Sequence, residues 1–159
     1  MKFLLFLALP LFALDQLTKW LVRQNIPYSN EIQVIPGFFS LVHATNTGAA
    51  FSMFTGNNLF FVGLALFALA VIIYLFIRDS RTQRPDRRLN VLTKISFGLL
   101  VAGILGNLTD RILQGAVTDF LHFYIHEYAW PSFNVADSCI CVAAGLLIIS
   151  SFGTQRRSR

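Results

Sequence analysis

The chain has 159 residues, 55% of them apolar and only 13% charged, with a mean hydropathy of +0.59. Soluble domains carry about 25% charged residues, so this composition leaves too little polar surface for a water-facing globule, and sixteen Phe exclude a disordered linker. A net charge of +5 would suggest nucleic acid in a soluble protein, so the placement of the basic residues decides what it means here.

A bilayer core needs about 20 mostly apolar helical residues, and four stretches supply them: 3–22, 59–77, 89–108 and 136–152. The first is interrupted by Asp15, Gln16, Thr18 and Lys19. A cleaved secretory signal is the alternative reading of this stretch. Ala13-Leu14-Asp15 is a poor cleavage site, however, and an uncleaved helix is expected. Asp15 and Lys19 are four apart, acid before base, which puts them on one helical face as an ion pair. A scaffold role is the stronger expectation for that pair.

Residues 23–58 then form a loop charged only at Arg23 and Glu31. Ile32 to Ile35 and Phe38 to Val42, separated by Pro36-Gly37, read as strand, turn and strand. Asn46-Thr47-Gly48-Ala49-Ala50-Phe51 follows as a small-residue turn that allows close backbone approach. The loop is expected either to lie as an apolar platform on the outer leaflet or to pack over the helices.

After the second span, the segment 78–88 sets Arg78, Arg81, Arg84, Arg87 and Arg88 against Asp79 and Asp86, and the tail ends with Arg156, Arg157 and Arg159. Lys2 adds to the N-terminal end. Short loops rich in Lys and Arg stay in the cytoplasm. Both termini and the loop 78–88 are therefore expected inside, with loops 23–58 and 109–135 outside. The basic residues act as topology signals, and no nucleic-acid partner is expected.

The third span ends Gly106-Asn107-Leu108-Thr109-Asp110-Arg111, where Asn107, Asp110 and Arg111 share a helical face. Arg111 suits a helix C-terminus, but a buried Asn107 amide needs partners. Asn107-Leu108-Thr109 also matches a glycosylation acceptor, which is discounted at the end of a span.

Asp119 lies within an apolar run, Ala116 to Leu121, and reads either as a loop acid or as something more constrained. Asp137 stands where the fourth span begins, with Asn134 as N-cap and Asp137 as the acid of a capping-box-like start. Both acids fall on the same side of the membrane at similar depth. Two carboxylates held together share a proton, so one can act as base on water while the other polarises a carbonyl. No Ser-His-Asp order offers another nucleophile. Cys139 and Cys141, two apart inside the last span, read as packing residues rather than a disulfide. His43, His122 and His126 are scattered, and His122 with His126 lacks a third ligand, so no metal is expected.

Four blocks in order resemble the lipoprotein signal peptidase (signal peptidase II) family of integral-membrane aspartic proteases. They are Asp15-Gln16-Leu17-Thr18-Lys19, Asn46 to Phe51, Gly106 to Arg111, and Val117-Thr118-Asp119-Phe120 paired with Phe133 to Ser138. The resemblance covers nearly the whole chain. It implies Asp119 and Asp137 as the catalytic pair. Asn46, Gly48, Asn107, Asp110, Arg111 and Asn134, with Asp15 and Lys19, would line or support the substrate groove.

The resemblance further implies an all-α membrane protein of four transmembrane helices, with a small extracytoplasmic β-sheet, or β-cradle, and a short periplasmic helical segment. The implied activity removes signal peptides from diacylglyceryl-modified prolipoproteins in the bacterial inner membrane, on the N-terminal side of the lipidated Cys. It needs no cofactor, is blocked by globomycin-type inhibitors, and is expected of a monomer among membrane lipids. Two rival readings remain from the residues alone. One is a small proton-coupled transporter relaying through Asp15, Lys19 and Asp137; the other is a membrane scaffold whose acids are caps and ion pairs. A different class of intramembrane aspartyl protease would place its acids deeper in the spans.

Overall fold

The computed structural model describes residues 2–48, 56–82 and 89–155. Four helices are long and apolar enough to cross a membrane: α1 (Lys2–Asn25), α2 (Asn58–Arg81), α3 (Val91–Gln114) and α4 (Val135–Gln155). Between them lie β1 (Glu31–Ile35), β2 (Phe39–Asn46), β3 (Val117–Ile125) and β4 (Tyr128–Ala129).

Helix α3 is the centre of the bundle and packs against the other three helices. In lipid, helices associate through close packing rather than through a hydrophobic drive, which favours small residues at their contacts. α3 supplies Gly98, Gly103 and Gly106. A Cβ on Gly98 would lie 2.8 Å from Leu7 Cδ2 of α1, and one on Gly103 would collide with Ala136 O and Ile140 of α4. Leu4 and Ala8, Ile72 and Phe76, and Phe97, Val101 and Ala102 form the core where α1, α2 and α3 meet. Helix α2 turns Leu59, Phe67 and Tyr74 outward, an apolar surface suited to lipid.

At one end of the bundle the helices are tied by polar groups. Lys94 Nζ lies 3.0 Å from Asp79 Oδ2, Asp79 Oδ1 accepts the Leu89 N–H at 2.6 Å, and Asn90 caps α3 by accepting from Thr93 N at 2.8 Å. The Asn90 amide also donates to Ser150 Oγ of α4 at 2.7 Å.

At the opposite end the strands form one antiparallel sheet in the order β1-β2-β3-β4. The predicted hairpin is present: Phe38 N donates to Ile35 O at 3.0 Å, and Gly37 takes φ +77 at the position after Pro36. That places Pro and Gly where a type II turn requires them. β2 runs further than predicted, to Asn46, because it has a second partner. It pairs with β3, setting Ala44 opposite Asp119 and Asn46 opposite Val117. The register shifts between Leu41 and Ala44, an irregularity of the kind that re-aims side chains.

Two expectations change. The third span continues past residue 108 to Gln114 and stops at Gly115, which takes φ +72 as the left-handed cap. The helix tolerates Asn107, Asp110 and Arg111 because each of these side chains bonds to a group outside α3. Asp119 lies on a strand rather than in a loop, and part of the loop 109–135 is helix. Ala49, Ala50, Phe51, residues 83–88 of the basic loop and the tail residues Arg156, Arg157 and Arg159 lie outside the described residues, among which the only helices are α1 to α4.

Candidate active site

The site is built from α1 upward. Asp15, Lys19 and Arg23 recur every four residues and so form one helical stripe. Lys19 is wholly buried, 2.9 Å from Asp15 Oδ2 and 3.5 Å from Asp110 Oδ2 of α3. Two free N–H groups at the starts of other elements are satisfied by these acids. Asp15 Oδ1 accepts from Ala136 N, in the first turn of α4, at 2.8 Å. Asp110 Oδ2 accepts from Thr118 N, in β3, at 2.9 Å. Arg23 Nη1 donates to Thr118 Oγ1 at 2.9 Å and lies 3.7 Å from Asp110 Oδ1. The scaffold reading of Asp15 and Lys19 therefore has a specific content: they fix where α4 and β3 begin. Gly106 makes room for this, since a Cβ there would lie 2.5 Å from Asp15 Oδ2 and 2.9 Å from Ala136 Cβ.

Asp119 and Asp137 stand just above this base, at the starts of β3 and α4. The expected capping box is formed in both directions. Asn134 Oδ1 accepts from Asp137 N at 2.9 Å, and Asp137 Oδ2 accepts from Asn134 N at 3.2 Å. The same Asn134 uses its amide to donate to Asp119 Oδ1 at 2.7 Å and to Thr118 O at 3.3 Å. One side chain thus holds both acids. Asp137 Oδ1 also accepts from Asn107 Nδ2 at 2.7 Å, and Lys19 Nζ donates to Asn107 Oδ1 at 3.0 Å. Asn46 Nδ2 reaches Asp119 Oδ2 at 3.3 Å.

Asp119 is 3% exposed. Burial, reinforced by the negative charge of Asp137, raises its pKa from 3.8 to about 7, against the smaller opposing pull of the Asn134 and Asn46 amides. Among the described residues no Lys or Arg forms an ion pair with either Asp119 or Asp137.

Arg111 faces another way. Its Nη2 donates to Gly48 O at 2.7 Å, its Nη1 reaches Asn58 Oδ1 at 3.5 Å, and its guanidinium sits 4.4 Å from the centre of the Phe61 ring. Gly48 N in turn donates to Asn46 Oδ1 at 2.9 Å, which turns the Asn46 amide toward Asp119. Every site residue named from the sequence is thus in this one network. Gln16, Arg23, Asn58 and Thr118 also belong to it and were not singled out. Arg23 continues the four-residue stripe and could have been found by that spacing. Asn58, bonded from the start of α2 to Arg111 O at 2.9 Å, left no local signal. His122 rests beside the Tyr124 ring and His126 turns the β3–β4 hairpin. Among the described residues no three His, Cys, Asp or Glu side chains are grouped to hold a metal, and Cys139 and Cys141 are free.

Four apolar helices with a network of buried carboxylates and amides at one end define a multi-pass membrane protein with an enclosed polar site. The family model described as "Signal peptidase (SPase) II" matches residues 7–153. A lipoprotein signal peptidase of Symbiobacterium thermophilum is 42% identical over 151 residues, covering 95% of each chain. One of Actinobacillus succinogenes is 41% identical over 152 residues, covering 93% of this chain and 88% of that protein. Among solved structures, a bacterial membrane enzyme determined by the in meso method superposes with a TM-score of 0.87 at 30% identity, covering 100% of this chain and 93% of the other. The chain belongs to the signal peptidase II family and is accordingly a peptidase.

Proposed function

We propose that this chain is an aspartic endopeptidase that cuts diacylglyceryl-modified prolipoproteins on the N-terminal side of the lipidated Cys, with Asp119 and Asp137 as its catalytic pair. The observation that carries the reading is Asn134, which holds the two carboxyls within one hydrogen-bonded unit where neither has a cation of its own. Two buried acids so placed retain one proton between them. The ionised one takes a proton from water as its oxygen attacks the scissile carbonyl, and the protonated one gives its proton to the carbonyl oxygen. Collapse of the resulting diol returns a proton to each side: the newly protonated acid protonates the leaving nitrogen as the C–N bond breaks, and its partner takes one hydroxyl proton.

Asn46, Gly48, Asn107, Asp110, Arg111 and Asn134 serve as groove and support residues in this scheme, with Asp15 and Lys19 beneath them. The outer-leaflet setting follows from charge. Arg78 and Arg81 end α2 away from the sheet and open the Arg-rich segment of the sequence, and short segments of that kind stay cytoplasmic. Both termini are then inside the bacterial inner membrane, and the two acids meet lipid-anchored precursors, or globomycin-type inhibitors, from the extracytoplasmic side. A proton-coupled transporter would place its acids near the bilayer midplane, whereas these lie at the helix ends beside the sheet.

The test is cleavage of one precursor, lipidated and unlipidated, by purified protein. Asp119→Asn and Asp137→Asn are each expected to lose roughly 10²–10⁴-fold or more in rate on the lipidated form. Wild-type rates in either variant would refute the pair.

A further inference from the structure

Resting on that reading, the two carboxyls are not equivalent, and the asymmetry traces to a residue that touches neither of them. Lys19 Nζ carries only donors, so the Asn107 atom 3.0 Å away must be its carbonyl oxygen. The Asn107 amide is thereby turned with its NH2 toward Asp137 Oδ1, at 2.7 Å. Asp119 Oδ1 accepts an amide hydrogen bond of the same length, from Asn134, so the difference between the two acids lies in the other groups around them. Asp137 Oδ2 also accepts a backbone N–H, from Asn134, and the residue sits in the first turn of α4, where the helix dipole favours negative charge.

Asp119 is placed differently. It lies on a strand, and among the described residues it accepts only side-chain amides, from Asn134 at 2.7 Å and Asn46 at 3.3 Å, with no backbone N–H and no helix N-terminus. Among the described residues the charged groups that act on the two acids are Asp15 and Lys19 from α1 and Arg111 from α3, with Asp110 of α3 against Lys19.

We propose that Lys19 is a positioning residue: by fixing the Asn107 amide it reserves Asp137 as the ionised base toward water and leaves the shared proton on Asp119, which donates it to the substrate carbonyl oxygen. Water then gives its proton to Asp137 while its oxygen bonds to carbon. Asp137 passes that proton to the leaving nitrogen, and Asp119 recovers its own from the diol hydroxyl. Without Lys19 the amide is free to turn its oxygen toward Asp137, an arrangement that only a protonated Asp137 can satisfy.

The experiment is the pH–rate profile of the purified protein in detergent with a lipidated precursor peptide, read by its shape so that partial loss of folded protein does not matter. Asn107→Asp keeps a partner for Lys19 but cannot donate to an ionised Asp137. It is expected to move the acid limb up by about one to two pH units. Lys19→Met is expected to move it the same way, and the double variant no further than either alone, because both act through one bond. An unmoved acid limb, or shifts that add, would overturn the proposal.

Should Lys19→Met fail to accumulate, infrared spectra near neutral pH decide where the proton resides. The band of a protonated carboxyl is expected to vanish in Asp119→Asn and persist in Asp137→Asn; the reverse pattern refutes the assignment. Normal cleavage by either Asp→Asn variant would instead sink the catalytic pair itself, which separates the two failures.

Discussion

At the end of the bundle away from the sheet, Asp79 meets Lys94 at 3.0 Å and the Leu89 N–H at 2.6 Å, and its role is to join α2 to α3. At the sheet end, Asp15 and Asp110 meet Lys19 at 2.9 and 3.5 Å and do similar work for α1, α3, β3 and α4. By this measure the two ends are alike, and a buried ion pair marks neither as functional. What sets the sheet end apart is the next pair of acids outward. Asp119 is as deeply buried as the structural acids and Asp137 is partly buried, yet their partners are neutral amides of Asn46, Asn107 and Asn134 and one backbone N–H. Amides can satisfy a carboxyl without neutralising it, which keeps its proton available for exchange.

The comparison is most sharply tested by Asp15→Asn. It leaves the buried Lys19 with only its longer ion pair and weakens the anchor of Ala136, so a stability loss of about 3–5 kcal/mol is expected. Processing should fall with it, because α4 and Asp137 lose their seat; unfolding in detergent and cleavage of a lipidated precursor read the two. Wild-type cleavage by a folded Asp15→Asn protein would mean that the ion-pair base and the acids above it are independent.

Asp79→Asn is the matching change at the other end. Lys94 is 31% exposed and can turn to water, so the expected loss is about 1 kcal/mol with cleavage within roughly twofold of wild type. A large loss of activity would show that the end away from the sheet also shapes the site.

The smallest effect is a difference in slope. Asp119 in the folded protein titrates at about 7 rather than 3.8. The folded state therefore binds that proton more tightly than the unfolded chain does. Wild-type stability gains from this at low pH and loses it as pH rises from about 4 to about 7. Asp119→Asn removes the dependence, so its melting temperature should rise relative to wild type between pH 5 and pH 8. A melting temperature of the variant, minus that of wild type, that stays constant or falls across that interval would contradict the raised titration of Asp119.

Several parts of this arrangement were legible in the chain. The Asp15–Lys19 pair follows from helical spacing, the hairpin from Pro36-Gly37, and the cap of α4 from the separation of Asn134 and Asp137. Each is a local pattern, with its partners a few residues apart. Asn107 was recognisable as an amide that needed partners, though not which ones. Strand β3 was missed as a strand because its apolar run lacks alternation: both faces of Val117 to Phe120 are buried, and a strand buried on two sides carries no period-two signal.

The sequence by itself determined the membrane setting, the four spans and the short motifs at their ends, since hydropathy, helical spacing and capping act within a few turns of one element. The tertiary structure decided what those motifs do to one another. Asp15 on α1 holds the first turn of α4, Lys19 orients an amide on α3, and Asn134 bridges acids from a strand and a helix. Such relations depend on how closely α1, α3 and α4 approach, through contacts such as Gly106 against Asp15 and Ala136. Distances between elements far apart in the chain are fixed by packing, and no local pattern encodes them.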